Sequence, residues 1–580
     1  MGAAREHVFG GTVAGAGGAD RAALHWADRP VRPGRRALKD HAGFKLAPPA
    51  EGNPGLYGSH RLSRRLALGS ALSASALAAI PARPSAAAVA AVRGGVLNIG
   101  VSAEMNYNML CFAMTGDPMD YIYSWPIYES LFRPNASGTV DPWLLDSVAT
   151  DPDGLCYVFH LRPGVVFSDG TRLDASVVKW NLDRYLAVGS KRTELFSSVK
   201  SVDMVDEMTL KIALREWSAV IPTALSRECG YMFSRTQYEA HGEAYCRSHP
   251  VGTGPFMLEN WERNVGKRFV RNPLYWNGAV QLDRVVYTIY NDALVGQAAM
   301  LSGEIDVFAG MALTGIRGLA RHGFRVAAAA LEDHSSLLVF NSLNVRGNDP
   351  TGSLPVRQAI CHAIDTGALV DASYLGYATV SSQFGIGTHY RSDAITGYDY
   401  DPAKARALLA QAGYPNGFKT QIRAAAAGSN KTVLTIMQSG LAAVGIEASL
   451  QLLTGASASQ ALTGWGSGMW YQTSGVYVDV AMQMAAIFPQ GLTGGALGVS
   501  TMLRPADVSM VLRRAVASRS DADSIGAVRE ANRLLIDKYA LYMPVAEYST
   551  AFVLNARVKN SGIGEIFYAV ATLAGAYVET

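Results

Sequence analysis

Residues 157–186 read YVFHLRPGVVFSDGTRLDASVVKWNLDRYL, and this stretch decides the fold class. YVFHL alternates apolar and polar residues at the period of a strand. Ser168-Asp169-Gly170 supplies the residue types of a tight turn. Asp174 stands where a helix N-cap is wanted, ahead of Val178, Leu182 and Tyr185, which share one helical face. Strand, turn and capped amphipathic helix therefore follow one another in a single short span.

The same alternation of elements runs outward from this span. Strands are predicted in GVLNIGV (95–101), from Phe256 in VGTGPFMLENW, in LDRVVYTIY (282–290), in SLLVFN (336–341) and in IEASLQLL (446–453). Helices are predicted in PVRQAICHAID, in TGALVDASYLG capped by Asp365, and in VLTIMQSGLAAVG. In YDPAKARALLAQAGYPNG, Asp401 caps, Pro402 takes the first helical position and Gly413 ends the helix. VREANRLLIDKYALYMPVAEYSTAFVLN reads as helix, turn and strand. The class is α/β with mixed sheets.

The chain has 580 residues and a formal net charge of +3, but the charge is unevenly spread. Residues 1–87 hold twelve Lys or Arg against five Asp or Glu, whereas 88–580 hold 39 against 43. The main body is thus slightly acidic, which gives it no electrostatic claim on nucleic acid. Within the basic part, Ser63-Arg64-Arg65 precedes an uncharged apolar run, Leu66–Ile80, and then the small residues of PARPSAAAVA. Charge, apolar run and small-residue site in that order read as a secretory signal over 63–87, and the paired Arg64 and Arg65 resemble a twin-arginine motif. The run is too short to span a bilayer, so no membrane anchor is expected. Residues 1–62, rich in Gly, Ala, Pro and Arg, read as a disordered extension or as a start placed too far upstream.

Several chemistries find no support. The five cysteines (111, 156, 229, 246 and 361) form no C-x-x-C pair. In an oxidising compartment some of them pair, and Cys229 with Cys246 would close a short loop. The histidines form no H-x-x-x-H cluster, and no G-x-S-x-G elbow is present, so neither a metal site nor an enzyme is expected. Gly252-Thr253-Gly254-Pro255 lacks the Lys-Ser/Thr ending of a phosphate loop and reads as a structural turn.

The segments LRPGVVFSDGTRLDASVVKWNLDRY, VGTGPF, RNPLYW, LSGEIDV, VRQAICHAID, YDPAKARALLAQAGYPNGF and LLIDKYALYMPV, in this order, resemble the family 5 extracytoplasmic solute-binding proteins of ABC transporters. The resemblance implies a two-lobed periplasmic-binding-protein fold, type II-like, with a subdomain inserted in the first lobe. On that basis 94–125, 248–291 and 546–580 form the core of lobe I, 126–247 the insertion and 292–545 lobe II. Crossings near 291 and 545 would form the hinge. The implied function is to bind a peptide-like or other small solute in the cleft and deliver it to a permease with its ATPase. The competing readings on the same fold are an exported ligand sensor and a cleft hydrolase. The expected setting is a soluble monomer in the periplasm without cofactor, exported by the twin-arginine translocase and trimmed by signal peptidase.

The resemblance also selects ligand-contacting residues. GWGSGMWYQTSGVYVD (464–479) sets two Trp and two Tyr among Gly and Ser and does not read as a core helix or strand. Trp470 matches a cleft-facing Trp of the family, and Tyr471 would add stacking area. Thr473 stands about where peptide receptors of the family carry an Asp for the ligand's amino group, so a solute without a fixed positive charge there is expected. Tyr107 and Asn108 follow the first strand, Asn341 ends SLLVFN, and Gln383 and Phe384 lie in SSQFGIG. Together they would make a neutral, aromatic wall.

Overall fold

A computed structural model describes residues 94–579, apart from 103–107, 114–117, 136–137, 189–195, 311–312, 329–333, 345–346, 386–387, 427–429, 455–456, 459, 462–463, 476–478, 489–500, 566–570 and 572. Arg64, Arg65 and Tyr107 lie outside the described residues. So does the whole of 1–93.

In chain order the strands are β1 (Val96–Val101), β2 (Phe132–Pro134), β3 (Val140–Pro142), β4 (Leu145–Asp151), β5 (Cys156–Leu161), β6 (Val199–Asp206), β7 (Thr209–Leu214), β8 (Phe256–Glu262), β9 (Gly266–Arg271) and β10 (Arg284–Ile289). They continue with β11 (Val307–Ala309), β12 (Arg325–Ala328), β13 (His334–Phe340), β14 (Ala378–Val380), β15 (Phe418–Ala425), β16 (Ile446–Leu453), β17 (Met469–Gly475), β18 (Tyr542–Tyr548) and β19 (Ala551–Leu554). One sheet has the order β12-β19-β11-β1-β10-β9-β8, a second the order β14-β18-β13-β17-β15-β16, and a third the order β4-β5-β7-β6. Both large sheets mix parallel and antiparallel pairs, as the α/β class requires.

The opening stretch folds as its pattern dictates. YVFHL lies within β5, and a helix runs over Ala175–Val188 with Asp174 Oδ1 accepting from Val177 N at 3.0 Å. Val178, Leu182 and Tyr185 are all buried. Asp365 and Asp401 cap the helices Thr366–Tyr374 and Pro402–Gln411, and Gly413 follows the second with φ of +89°. The 252–255 turn is structural. Gly254 N donates to Ile127 O at 2.7 Å, and a Cβ on Gly252 would come within 2.2 Å of that same carbonyl oxygen.

Two findings differ from the sequence-based expectations. First, β11 and β12 hydrogen-bond into the sheet of β1, so residues 293–328 go with lobe I. The chain therefore crosses between β12 and β13, not near 291, and returns between β18 and β19. The contacts of LSGEIDV and the Phe308 that follows it decide this: Ile305, Val307 and Phe308 are all buried, and β11 sits beside β1. Second, all five cysteines are buried and none is in a disulfide, so there is no Cys229–Cys246 bridge. Cys246 Sγ instead donates to Gln237 O at 3.7 Å and Cys111 Sγ to Tyr231 O at 3.6 Å.

Lobe II is built around β13, whose run LLVF is buried on both faces. Leu338 and Phe340 belong to one apolar core, Leu337 and Val339 to another. A continuous apolar run of this kind marks a strand covered on both sides.

Candidate functional site

The apolar run of β13 stops at its hinge end, where His334, Ser335 and Ser336 replace it. Pairing in register brings matching residues from both neighbours: Ser336 faces Thr473 and Ala546, Ser335 faces Ser474 and Glu547, and His334 faces Gly475 and Tyr548. The His334 and Tyr548 rings stack at 5.2 Å, and His334 Nδ1 lies 3.3 Å from Thr550 Oγ1. The start of β13 and the end of β18 are therefore held together beside the passage between the lobes.

On one face of this sheet end Tyr374 OH donates to Ser336 Oγ at 3.3 Å and lies 3.4 Å from Tyr471 OH. Burial pushes the Tyr471 phenol well above its ordinary range, so it stays a neutral donor. On the other face Gly385 N donates to Glu547 Oε1 at 2.9 Å. The helix Val480–Ile487 carries Gln483, fully buried, with Nε2 3.4 Å from Ser335 Oγ and Oε1 without a partner among the described residues. Its N-cap Asp479 accepts from Met482 N at 3.1 Å; burial raises this carboxyl, and the helix N–H groups oppose the rise. Met482 packs in the lobe I core, whereas Val480, Ala481 and Met484 pack in lobe II. This helix therefore lies between the lobes.

The predicted contacts are dispersed by this geometry. Trp470 and Tyr471 are neighbours on β17 and so point to opposite faces; each is about 1% exposed. Trp470 Nε1 donates to Gln472 Oε1 at 2.8 Å within one core, while Tyr471 packs in the other. The expectation that both rings line one wall gives way to a strand buried on both faces, and 464–479 contains that strand after all. Gln383 is buried and staples its own loop, donating to Ser392 O (2.8 Å) and Ile395 O (3.1 Å) and accepting from Ser392 N. Phe384 packs against Phe488 and Tyr542. Asn341 Nδ2 donates to Asp349 Oδ2 at 2.9 Å, at the opposite end of β13 from the hinge. Asn108 Oδ1 accepts from Leu110 N at 2.9 Å, fixing its own turn. Of the predicted residues, Thr473, half-buried, and the hydroxyl of Tyr471 reach the hinge end.

Sequence reading passed over His334, Ser336, Tyr374, Gln483 and Tyr548. The available signal was HSSLLVF itself, two serines and a histidine leading into an otherwise apolar buried strand. Among the described residues no group of three His, Cys, Asp or Glu is placed to hold a metal, and no helix is long and apolar enough to cross a membrane.

Residues 139–489 match the family model described as bacterial extracellular solute-binding proteins, family 5 Middle. The chain belongs to that family. This family 5 protein is 30% identical over 355 residues to the glutathione-binding protein GsiB of Salmonella paratyphi A, covering 60% of this chain and 68% of that one. It is 29% identical to GsiB of Escherichia coli O157:H7 over 367 residues, with the same coverage. Among solved structures, DppA of Helicobacter pylori in complex with the peptide STSA is similar with TM-score 0.72 at 24% identity, over 84% of this chain and 99% of that one. NikA of Brucella suis in complex with Fe(III)-EDTA is similar with TM-score 0.73 at 21% identity, over 84% of this chain and all of that one. The fold is thus the two-lobed periplasmic-binding-protein fold. The family 5 protein is the substrate-binding component of an ABC importer, whose partners are a solute, a permease and its ATPase. Its relatives are binding proteins rather than enzymes.

Proposed function

We propose that the protein captures a small peptide-like solute in the periplasm and holds it with neutral hydrogen-bonding groups at the hinge end of lobe II. The observation that carries this is the polar end of the sheet where β13 leaves the crossing, with Ser336, Tyr374, Tyr471 and Thr473 on one face and Ser335 and Gln483 on the other, all buried or half-buried. Buried hydroxyls and amides are costly unless each finds a partner. A carboxylate placed at Thr473 would suit a ligand ammonium; a hydroxyl there suits an uncharged group. GsiB relatives carry glutathione in their name and DppA is solved with a peptide, which favours a peptide-like solute over a sugar.

Native mass spectrometry of protein purified without denaturation will identify the co-purified solute. Calorimetry with glutathione and with the free dipeptide Met-Leu tests the class. Thr473→Asp is expected to weaken an uncharged solute about tenfold or more, through a newly buried charge. Glutathione and Met-Leu each carry a free ammonium, so tight binding of either by the unaltered protein would overturn the neutral-ligand reading.

Export is proposed through the twin-arginine route, on the strength of Ser63-Arg64-Arg65 and the uncharged run behind it. Replacing Arg64 and Arg65 together with Lys should leave precursor in the cytoplasm. Normal accumulation of the processed form in the periplasm would count against that route.

A further inference from the structure

We infer that the inserted subdomain latches the lobes shut, with Trp217 as a positioning residue for solute binding. The loop after β7 reaches lobe II far in sequence from either crossing. Trp217 Nε1 donates to Ser518 O at 3.0 Å, and Ala219 N donates to Val516 O at 2.8 Å. Arg519 Nη1 meets Asp153 Oδ1 at 2.6 Å beside them.

The acceptors explain why the contact forms. Val516 closes the helix Ala506–Val516 and Ser518 lies two residues past its end. Carbonyls at a helix C-terminus have no intrahelical partner, and here the other lobe supplies the missing donors. The donor side is held ready for them. Trp217 stacks on Tyr157 at 4.8 Å with 23° between the planes, and Tyr157 OH donates to Ser218 O at 2.8 Å. Val516 also packs against the lobe I core. The ion pair is 58% and 87% exposed on its two sides, so it adds orientation and little else.

These contacts join two bodies that the chain connects covalently at the hinge crossings, and opening the cleft breaks them. The latch therefore favours the closed form before any solute arrives. A solute that binds the closed form then has less to reorganise, and its apparent affinity scales with the closed fraction. The inference rests on the receptor reading above, but its first test needs no solute.

Spin labels on Met204→Cys and Met510→Cys, exposed positions on β6 and on the lobe II helix, report the lobe separation by pulsed electron resonance. The native cysteines are buried and stay unlabelled. In the solute-free protein a short-distance population is expected. Trp217→Phe keeps a ring on Tyr157 and removes the donor, so it should move population to longer distances while circular dichroism and melting temperature hold. Asp153→Lys, a surface change facing Arg519, should shift it the same way but less. Where the unaltered protein binds glutathione, Trp217→Phe should weaken that binding roughly threefold to tenfold. Absence of glutathione binding would remove that solute and leave the distance result decisive. Superimposable distance distributions for the unaltered protein and Trp217→Phe would overturn the latch.

Discussion

Glu129→Leu is expected to destabilise the protein by about 4 kcal/mol, seen as a lower urea midpoint at unchanged slope. The carboxylate is buried and accepts four hydrogen bonds. Oε1 takes Trp143 Nε1 at 3.0 Å and Tyr275 OH at 2.9 Å; Oε2 takes Trp276 Nε1 at 2.7 Å and Thr253 Oγ1 at 2.9 Å. Burial pushes the group upward, and these donors, Trp276 foremost, pull it back. Its partners come from three separate stretches: Trp143 just ahead of β4, Thr253 in the turn before β8, and Tyr275 and Trp276 after β9. One side chain thus fastens the stretch ahead of β4 to the turns flanking β8 and β9. Leucine fills much of the volume but leaves four buried donors without an acceptor, each a costly orphan. Glu129→Gln keeps an acceptor for one pair of donors and turns an amide N–H₂ toward the other, so a loss of about half that size is expected. Equal stability of Glu129→Leu and the unaltered protein would mean that water or a rearranged loop satisfies the donors.

The elements that could be read from the sequence were those governed by local rules. Asp174, Asp365 and Asp401 sit ahead of apolar 3.6-residue patterns, and each caps its helix as its position requires. The lobe boundary could not be read this way. Nothing in LSGEIDV says whether its short strand joins β1 or the strands of lobe II, because sheet partnership is a long-range choice. The site fared worst, for a related reason. Aromatic residues among glycines read as neither a core helix nor a core strand at 464–479, yet Gly468, at φ of +75°, only turns the chain into β17. Burial on both faces of that strand then came from elements far off in sequence, such as the helix bearing Tyr374, 97 residues before Tyr471. The polar hinge end was hidden because its members, Ser336, Tyr374, Thr473 and Tyr548, come together only through strand register and a helix packed across it.

Trp470→Ala should therefore act on stability first, with an expected loss of about 3–5 kcal/mol and a clear fall in melting temperature before any solute is added. The indole is one of the largest fully buried side chains in the protein. It lies 6.0 Å from Trp465, shares its core with Leu337, Val339 and Tyr542, and spends its N–H on Gln472 Oε1. Truncation opens a cavity in a packed core and frees the Gln472 carbonyl, and neither effect needs a ligand. The contrast is Tyr471→Phe, on the opposite face, which removes only a hydroxyl 3.4 Å from that of Tyr374. That change should cost about 1 kcal/mol of stability and, if the hydroxyl cluster touches the solute, should weaken binding of the co-purified solute by a similar factor or more. Thermal melts and calorimetry on both variants separate the two roles. A Trp470→Ala protein that melts normally but no longer binds would return the indole to the cleft wall, since a core residue cannot be deleted without cost to the fold.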